Sequence, residues 1–331
     1  MKPYALTTFS AEGLPAAPGL VIDGRVAAIA ELCGSADEYA GLRGRDTVLA
    51  ILDAWELCLP LLERLAQGAS GDAGWRPLET VRVHAPVERP RQVFCTGANY
   101  RKHVVDLTVD SGVGPEGLQG AELRRWAEQM MDERAAHGEP YVFTKPVSAI
   151  AGPYDDLILP RNTAQPDWEL ELAVVIGRGG RTIPRARALE HVAGYMIAND
   201  ISARDLIPRT DYKMLGTDWL RAKGQPGFLP LGPWLVPARF VADPHRLRMR
   251  LTVSGRVMQD ETTADMIFGI ERQIEYISQY CELLPGDVIC TGSPAGNGTH
   301  YNRFLQDGDV MEAEIEGLGR QSVVCRADRD C

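Results

Sequence analysis

The sequence predicts an α+β, β-rich protein in two parts, and three observations predict it. An Asp-Gly pair divides two apolar runs near the start, and a stretch of helical periodicity follows. From about Val81 the chain then changes to short β-type runs separated by Gly, Pro and Asp. With 331 residues and 45% hydrophobic content, the chain has room for one large domain and a smaller partner.

Taken in order, the segment Gly19 to Ile29 carries Asp23-Gly24 between apolar runs, the strongest short hairpin signal. Between Thr47 and Gln67, Leu49, Leu52, Trp55, Leu59, Leu62 and Leu65 recur at near-helical spacing. An amphipathic helix is expected there, bent or divided by Pro60. Gly68 to Gly74 reads as a linker. Residues 1–80 are therefore expected to form a small α/β unit, and residues 81–331 the β-rich remainder. In that remainder Val174 to Gly177, Leu247 to Gly255 and Gly286 to Cys290 read as strands. Ala121 to His137, closed by Gly138, and Ile267 to Leu284 read as helices.

A formal net charge of −10 excludes the basic face that a nucleic-acid partner needs, while leaving small anionic substrates open. No apolar run is long enough for a membrane span or a signal peptide. The seven cysteines include no C-x-x-C pair, which argues against a disulfide framework and a thiolate zinc site. A reducing, cytoplasmic setting is the expectation.

Asp167 to Gly177 is the most informative stretch. In a strand Glu169 and Glu171 point to one face while Leu170 and Leu172 point to the other. The run then becomes wholly apolar, so the strand enters the interior. Two adjacent carboxylates there repel each other, lose hydration and call for a cation. A third acid, Asp200, ends the next apolar run, Gly194 to Asn199. Three carboxylates without histidine or thiolate suit one hard divalent ion, Mg²⁺ or Mn²⁺, with positions left for water and a chelating substrate. E-x-E alone also decorates the wet face of many sheets.

Around this stretch the sequence resembles the fumarylacetoacetate hydrolase family over roughly Val93 to Val324. Six segments stand in family order: Cys95 to His103, Pro140 to Lys145, the Glu169/Glu171 strand, Asn199 to Asp205, Trp219 to Lys223, and Leu284 to Gly296. The resemblance implies a mixed β-roll or sandwich catalytic domain, a homodimer, and metal ligation by Glu169, Glu171 and Asp200. It also implies small anionic oxo-acid substrates, most often cleaved at a C–C bond by water.

The chemistry then expected is hydrolysis of an acylpyruvate-like 2,4-dioxo acid, in which the ion stabilises an enolate. His103 is the candidate base, with Asp106 at i,i+3 on the same helical face to orient it. A surface helix pair would have the same spacing. By resemblance Lys223 polarises the substrate carbonyl or holds its carboxylate, and Arg204, Ser293 and Tyr100 contact substrate. Pairing with Asp205 is an equally natural role for Arg204, and a plain β-turn for Ser293. Tautomerisation, isomerisation, hydration or decarboxylation of a 2-oxo acid uses the same metal enolate and is the alternative reaction. A non-catalytic binding protein is a third reading, which the intact Glu169, Glu171, Asp200 and Lys223 disfavour.

The chain departs from the family pattern at several points. Asp106 stands where glutamate is usual, Ile207 where a substrate-facing glutamine is common, and Gly224 to Gly227 where Ser-Phe-Asp-Thr is usual. A helical insertion at about 104–138 enlarges a segment that can act as a lid.

Overall fold

In the computed structural model, which describes residues 2–68 and 74–329, Asp23 and Gly24 both adopt positive φ, at 49° and 75°. Ile22 faces Arg25 across them, so the strands Ala17–Ile22 and Arg25–Ala28 close through the two-residue turn that this dipeptide favours. Most of the expected linker, 69–73, lies outside the described residues. The N-terminal sheet has five strands and takes in Arg82–His84, which pairs with Ala5–Ser10. The helical stretch is divided, but not at Pro60. It breaks at Asp53 and Ala54 between Val48–Leu52 and Trp55–Gly68, and Pro60 lies inside the second helix.

Two further sheets build the rest. A six-stranded sheet runs in the order Val236–Pro237, Val192–Asn199, Leu170–Ile176, Val288–Cys290, Val93–Gly97, Tyr141–Thr144. A five-stranded sheet runs Arg256–Thr262, Arg248–Val253, Val310–Ile315, Gly319–Ala327, Leu157–Leu159. The α+β, β-rich expectation holds, and the three strands named from sequence are present.

Strand alternation explains why Leu170–Ile176 is buried along its whole length. Leu170, Leu172, Val174 and Ile176 pack in one core with Met249, Leu251, Met311 and Ile315 of the five-stranded sheet. Ala173 and Val175 pack in a second core with Leu20, Ile51 and Leu62 of the N-terminal unit. That unit therefore covers the back of the six-stranded sheet. Truncating a core residue such as Leu62 to alanine is expected to cost about 2–5 kcal/mol. Gly286, at φ 83°, marks the contact: a Cβ there would lie 2.2 Å from Leu49 Cδ1.

The insertion forms two helices, Arg101–Ser111 and Gly120–His137, with Gly112 in the left-handed conformation ending the first. Arg101 pairs with Asp132 at 2.8 Å, and Arg272 donates to the Ala135 carbonyl at 2.8 Å, which ties the second helix to the body. Among the described residues no helix is long and apolar enough to cross a membrane.

Candidate active site

Register assembles the site. Leu170 faces Asn199 and Glu171 faces Ala198, so Asp200 emerges beside Glu169, and its N–H donates to the Glu169 carbonyl at 2.8 Å. Asn199 Oδ1 accepts from the Glu169 N–H at 2.9 Å, fixing the backbone just before the strand. Ligand oxygens of Glu169, Glu171 and Asp200 consequently lie within 4.8 Å of one another, and all three residues are buried.

Two lysines brace this cluster. Lys223 Nζ lies 2.5 Å from Glu169 Oε2 and 2.6 Å from Asp200 Oδ2, and Lys145 Nζ lies 2.5 Å from Asp200 Oδ1. Arg204 lies 2.6 Å from Glu169 Oε1 through Nη2 and 2.8 Å from Asp167 Oδ2 through Nε. Three of the four carboxylates, Asp167, Glu169 and Asp200, thus pair with three cations, and Glu171 is left over.

The charges respond to that imbalance. Burial pushes the Glu169 carboxyl up, but Arg204 and Lys223 outweigh it and hold the group below the usual carboxylate range. Among the described residues Glu171 has no cation in contact and accepts from the Gly292 N–H alone, at 2.7 Å. Burial, then Asp200 and Glu169 beside it, drive its carboxyl well above that range. For Lys223, Asp200 and Glu169 overcome the cost of burial and keep the ammonium charged. One more positive charge against Glu171 would remove the repulsion, so the three carboxylates fit a divalent cation.

The structure places the remaining predicted residues as follows. His103 is half-buried on the Arg101–Ser111 helix, and burial, opposed by Glu169, pushes its imidazole down to about 4. His103 and Asp106 line one narrow cleft with Asp110, Asn297 and His300. The expected orientation of His103 by Asp106 is not formed: Asp106 Oδ1 accepts from Arg124 Nη2 of the inserted helix at 2.8 Å. Arg204 does not pair with Asp205, which instead accepts from Thr163 and from the Ala164 N–H. Ser293 is buried and its Oγ accepts from Gln259 Nε2 at 3.0 Å. Tyr100 is wholly buried, its hydroxyl on Met249 Sδ at 3.4 Å, so it belongs to the packed interior and not to the cleft wall. Ile207 is half-buried.

Two residues of the cluster escaped the sequence reading. Lys145 closes the segment Pro140 to Lys145, where nothing local marks it as a partner of Asp200. Asp167 shares the odd-numbered parity of Glu169 and Glu171, which was its available signal. It accepts from Arg204 and, at 2.6 Å, from the Gly298 N–H, joining the carboxylates to the cleft wall.

Residues 92–324 match the family model for the C-terminal part of fumarylacetoacetate (FAA) hydrolase. A mitochondrial oxaloacetate tautomerase of Bos taurus is 39% identical over 282 residues, covering 81% of each chain. The 2,4-didehydro-3-deoxy-L-rhamnonate hydrolase of Sphingomonas sp. (strain SKA58) is 36% identical over 265 residues, covering 78% of this chain and 82% of that one. Among solved structures, fumarylacetoacetate hydrolase from Exiguobacterium antarcticum superposes with a TM-score of 0.73 at 29% identity, covering 98% of this chain and 100% of that one. Maleylpyruvate hydrolase from Sphingobium sp. SYK-6, with manganese(II) and pyruvate bound, gives 0.71 at 26% identity and the same coverage.

Proposed function

The chain belongs to the fumarylacetoacetate hydrolase family, and on that premise we propose that it is a Mg²⁺- or Mn²⁺-dependent enzyme that interconverts the keto and enol forms of a small 2-oxo acid. Glu169, Glu171 and Asp200 would hold the ion. When bound, such an ion polarises the 2-oxo group and lowers the cost of negative charge on its oxygen. Lys223 adds an ammonium at the edge of the same cluster, 2.5 Å from Glu169, where it favours an anionic substrate. His103, kept neutral by burial, is the group that takes the proton from the adjacent carbon.

One observation carries this reading over hydrolysis. Lys223 already touches the carboxylates that would hold the ion, 2.6 Å from Asp200, whereas the acid that would help His103 activate water is held by Arg124 at 2.8 Å. The first expectation, hydrolysis of a 2,4-dioxo acid, keeps support from His103 and Asp106 lining one cleft, where release of Asp106 from Arg124 would allow them to pair. A homodimer is part of the proposal and is checked by light scattering on the eluting protein.

The test follows the ultraviolet absorbance of enol-oxaloacetate with Mg²⁺, Mn²⁺ or chelator, against metal-only controls. Metal-dependent acceleration of ketonisation without formation of pyruvate supports keto–enol chemistry. Conversion of acylpyruvates into two acids, with no effect on oxaloacetate, would replace the reading with hydrolysis.

A further inference from the structure

The cleft beside the carboxylates contains a second imidazole and a second aspartate. His103, Asp106 and Asp110 stand at i, i+3 and i+7 on the Arg101–Ser111 helix, so they share a face. That face meets the segment Ala295 to His300. Asp106 is taken by Arg124, but Asp110 Oδ2 lies 2.7 Å from His300 Nδ1. A carboxylate only accepts, so the His300 proton in this bond sits on Nδ1 and leaves Nε2 as the free basic atom. The ring is further fixed edge-on against Tyr301 at 4.9 Å, and the Tyr301 hydroxyl donates to the Met258 carbonyl at 2.9 Å. An acid orienting an imidazole, the arrangement expected at His103, is thus present one turn beyond Asp106 on a different histidine.

The position suits proton transfer. The cleft shared by His103 and His300 has a volume of about 10 Å³, close to the least that admits one water molecule. Asn297 lines it as well, and its buried Oδ1 has no partner among the described residues. His103 is half-buried, while the His300 side chain is 43% exposed, so the pair leads from the interior to solvent. The neighbouring Thr299 N–H donates to Asp167 at 3.2 Å, and Asp167 holds Arg204, which holds Glu169.

We infer that His300, oriented by Asp110, is a second proton-transfer residue of this site and carries the substrate proton between His103 and bulk water. The inference rests on the keto–enol reading. In the step from keto to enol the substrate C–H bond breaks, its electron pair stays on the substrate as the enolate, and the proton forms an N–H bond on His103. A proton from water bonds to the enolate oxygen to complete the enol. The N–H bond on His103 then breaks as the proton passes, directly or through one water, to Nε2 of His300, and from there to solvent. Asp110 keeps the Nδ1 proton throughout and stabilises the imidazolium while both nitrogens are protonated.

The experiment measures turnover of wild type, His300→Ala and Asp110→Asn in dilute buffer with Mn²⁺, on enol-oxaloacetate and on an acylpyruvate, with added imidazole as a probe. His300 is at the rim, and Asp110→Asn preserves shape, so folding is checked by Mn²⁺ affinity, which should match wild type. His300→Ala should lower kcat by about 100-fold, the low end of what a positioned acid–base group contributes, and imidazole should restore much of it. Asp110→Asn should give a smaller loss in kcat with KM unchanged. If His300→Ala stays within twofold of wild type, or its loss does not respond to imidazole, the inference is overturned while the keto–enol reading stands. If wild type does not accelerate ketonisation of enol-oxaloacetate, whether or not it cleaves the acylpyruvate, the keto–enol reading itself fails and the inference falls with it.

Discussion

Replacing Lys223 with methionine removes one cation from a buried cluster without changing its volume much. Lys223 is 2% exposed, and its ammonium lies 2.5 Å from Glu169, 2.6 Å from Asp200 Oδ2 and 3.1 Å from the Asp200 carbonyl. Its loss leaves two buried carboxylates facing each other with Glu171 alongside. Breaking a buried ion pair from one side costs about 3–5 kcal/mol. In a chain of this size that lowers Tm by roughly 4–7 °C. A divalent cation replaces the missing charge, so the variant should gain more from Mn²⁺ than wild type does, whereas ligand at a hundredfold over Kd stabilises by about 2.7 kcal/mol on its own. Thermal unfolding of both proteins, with chelator and with saturating Mn²⁺, reads the difference. A metal-free variant that melts within about 2 °C of wild type, or that Mn²⁺ stabilises no more than wild type, would refute the charge argument.

Other substitutions probe separate parts of the same reasoning. Glu171→Gln should leave the metal-free protein as stable or more stable, because burial and the Asp200 charge already oppose the ionised form, yet Mn²⁺ binding measured by calorimetry should be lost. His103 is pushed down to about 4 when folded and titrates near 6.5 when unfolded. Between those values the unfolded chain binds more protons. Its contribution is therefore full above pH 6.5 and is lost as pH falls towards 4. Urea melts across that range should show a shallower pH dependence for His103→Asn. Gly286→Ala should destabilise by about 1–3 kcal/mol through the close approach to Leu49 and the positive φ, and Leu49→Ala added to it should cost less than it does alone.

Legibility in the sequence followed distance along the chain. The Asp23-Gly24 turn and the alternation of Glu169 and Glu171 are local, and each appears as read. The inserted helix, expected over Ala121 to His137, spans Gly120–His137. The helix break at Asp53 and Ala54 was missed because Pro60 is the stronger breaker by type, although here the helix carries it internally. Partners were the least visible. Lys145 meets Asp200 across 55 positions, and Arg124 takes Asp106 from a helix that the spacing of His103 and Asp106 says nothing about. Which acid orients which histidine depends on that helix, since Asp110 and His300 are 190 positions apart.

The strands Val93–Gly97 and Val288–Cys290 run parallel and adjacent, with Val93 beside Val288 and Cys95 beside Cys290. The loops that leave them become the two banks of the cleft, and they are bolted together at their roots. Asn99 donates to the Thr291 carbonyl at 2.8 Å, and Gly292 passes so near that a Cβ would lie 2.8 Å from that of Asn99. Spacing between the banks is thus set where the loops leave these two strands, while their far ends carry the variable chemistry. Changes in the inserted helices or in the segment after Ser293 can retune the far ends with the carboxylate cluster untouched. An engineer seeking a new substrate for this scaffold would therefore vary residues 104–138 and 295–300 as one library, holding Asp110, Gly298 and His300 fixed, and leave Asn99 and Gly292 alone.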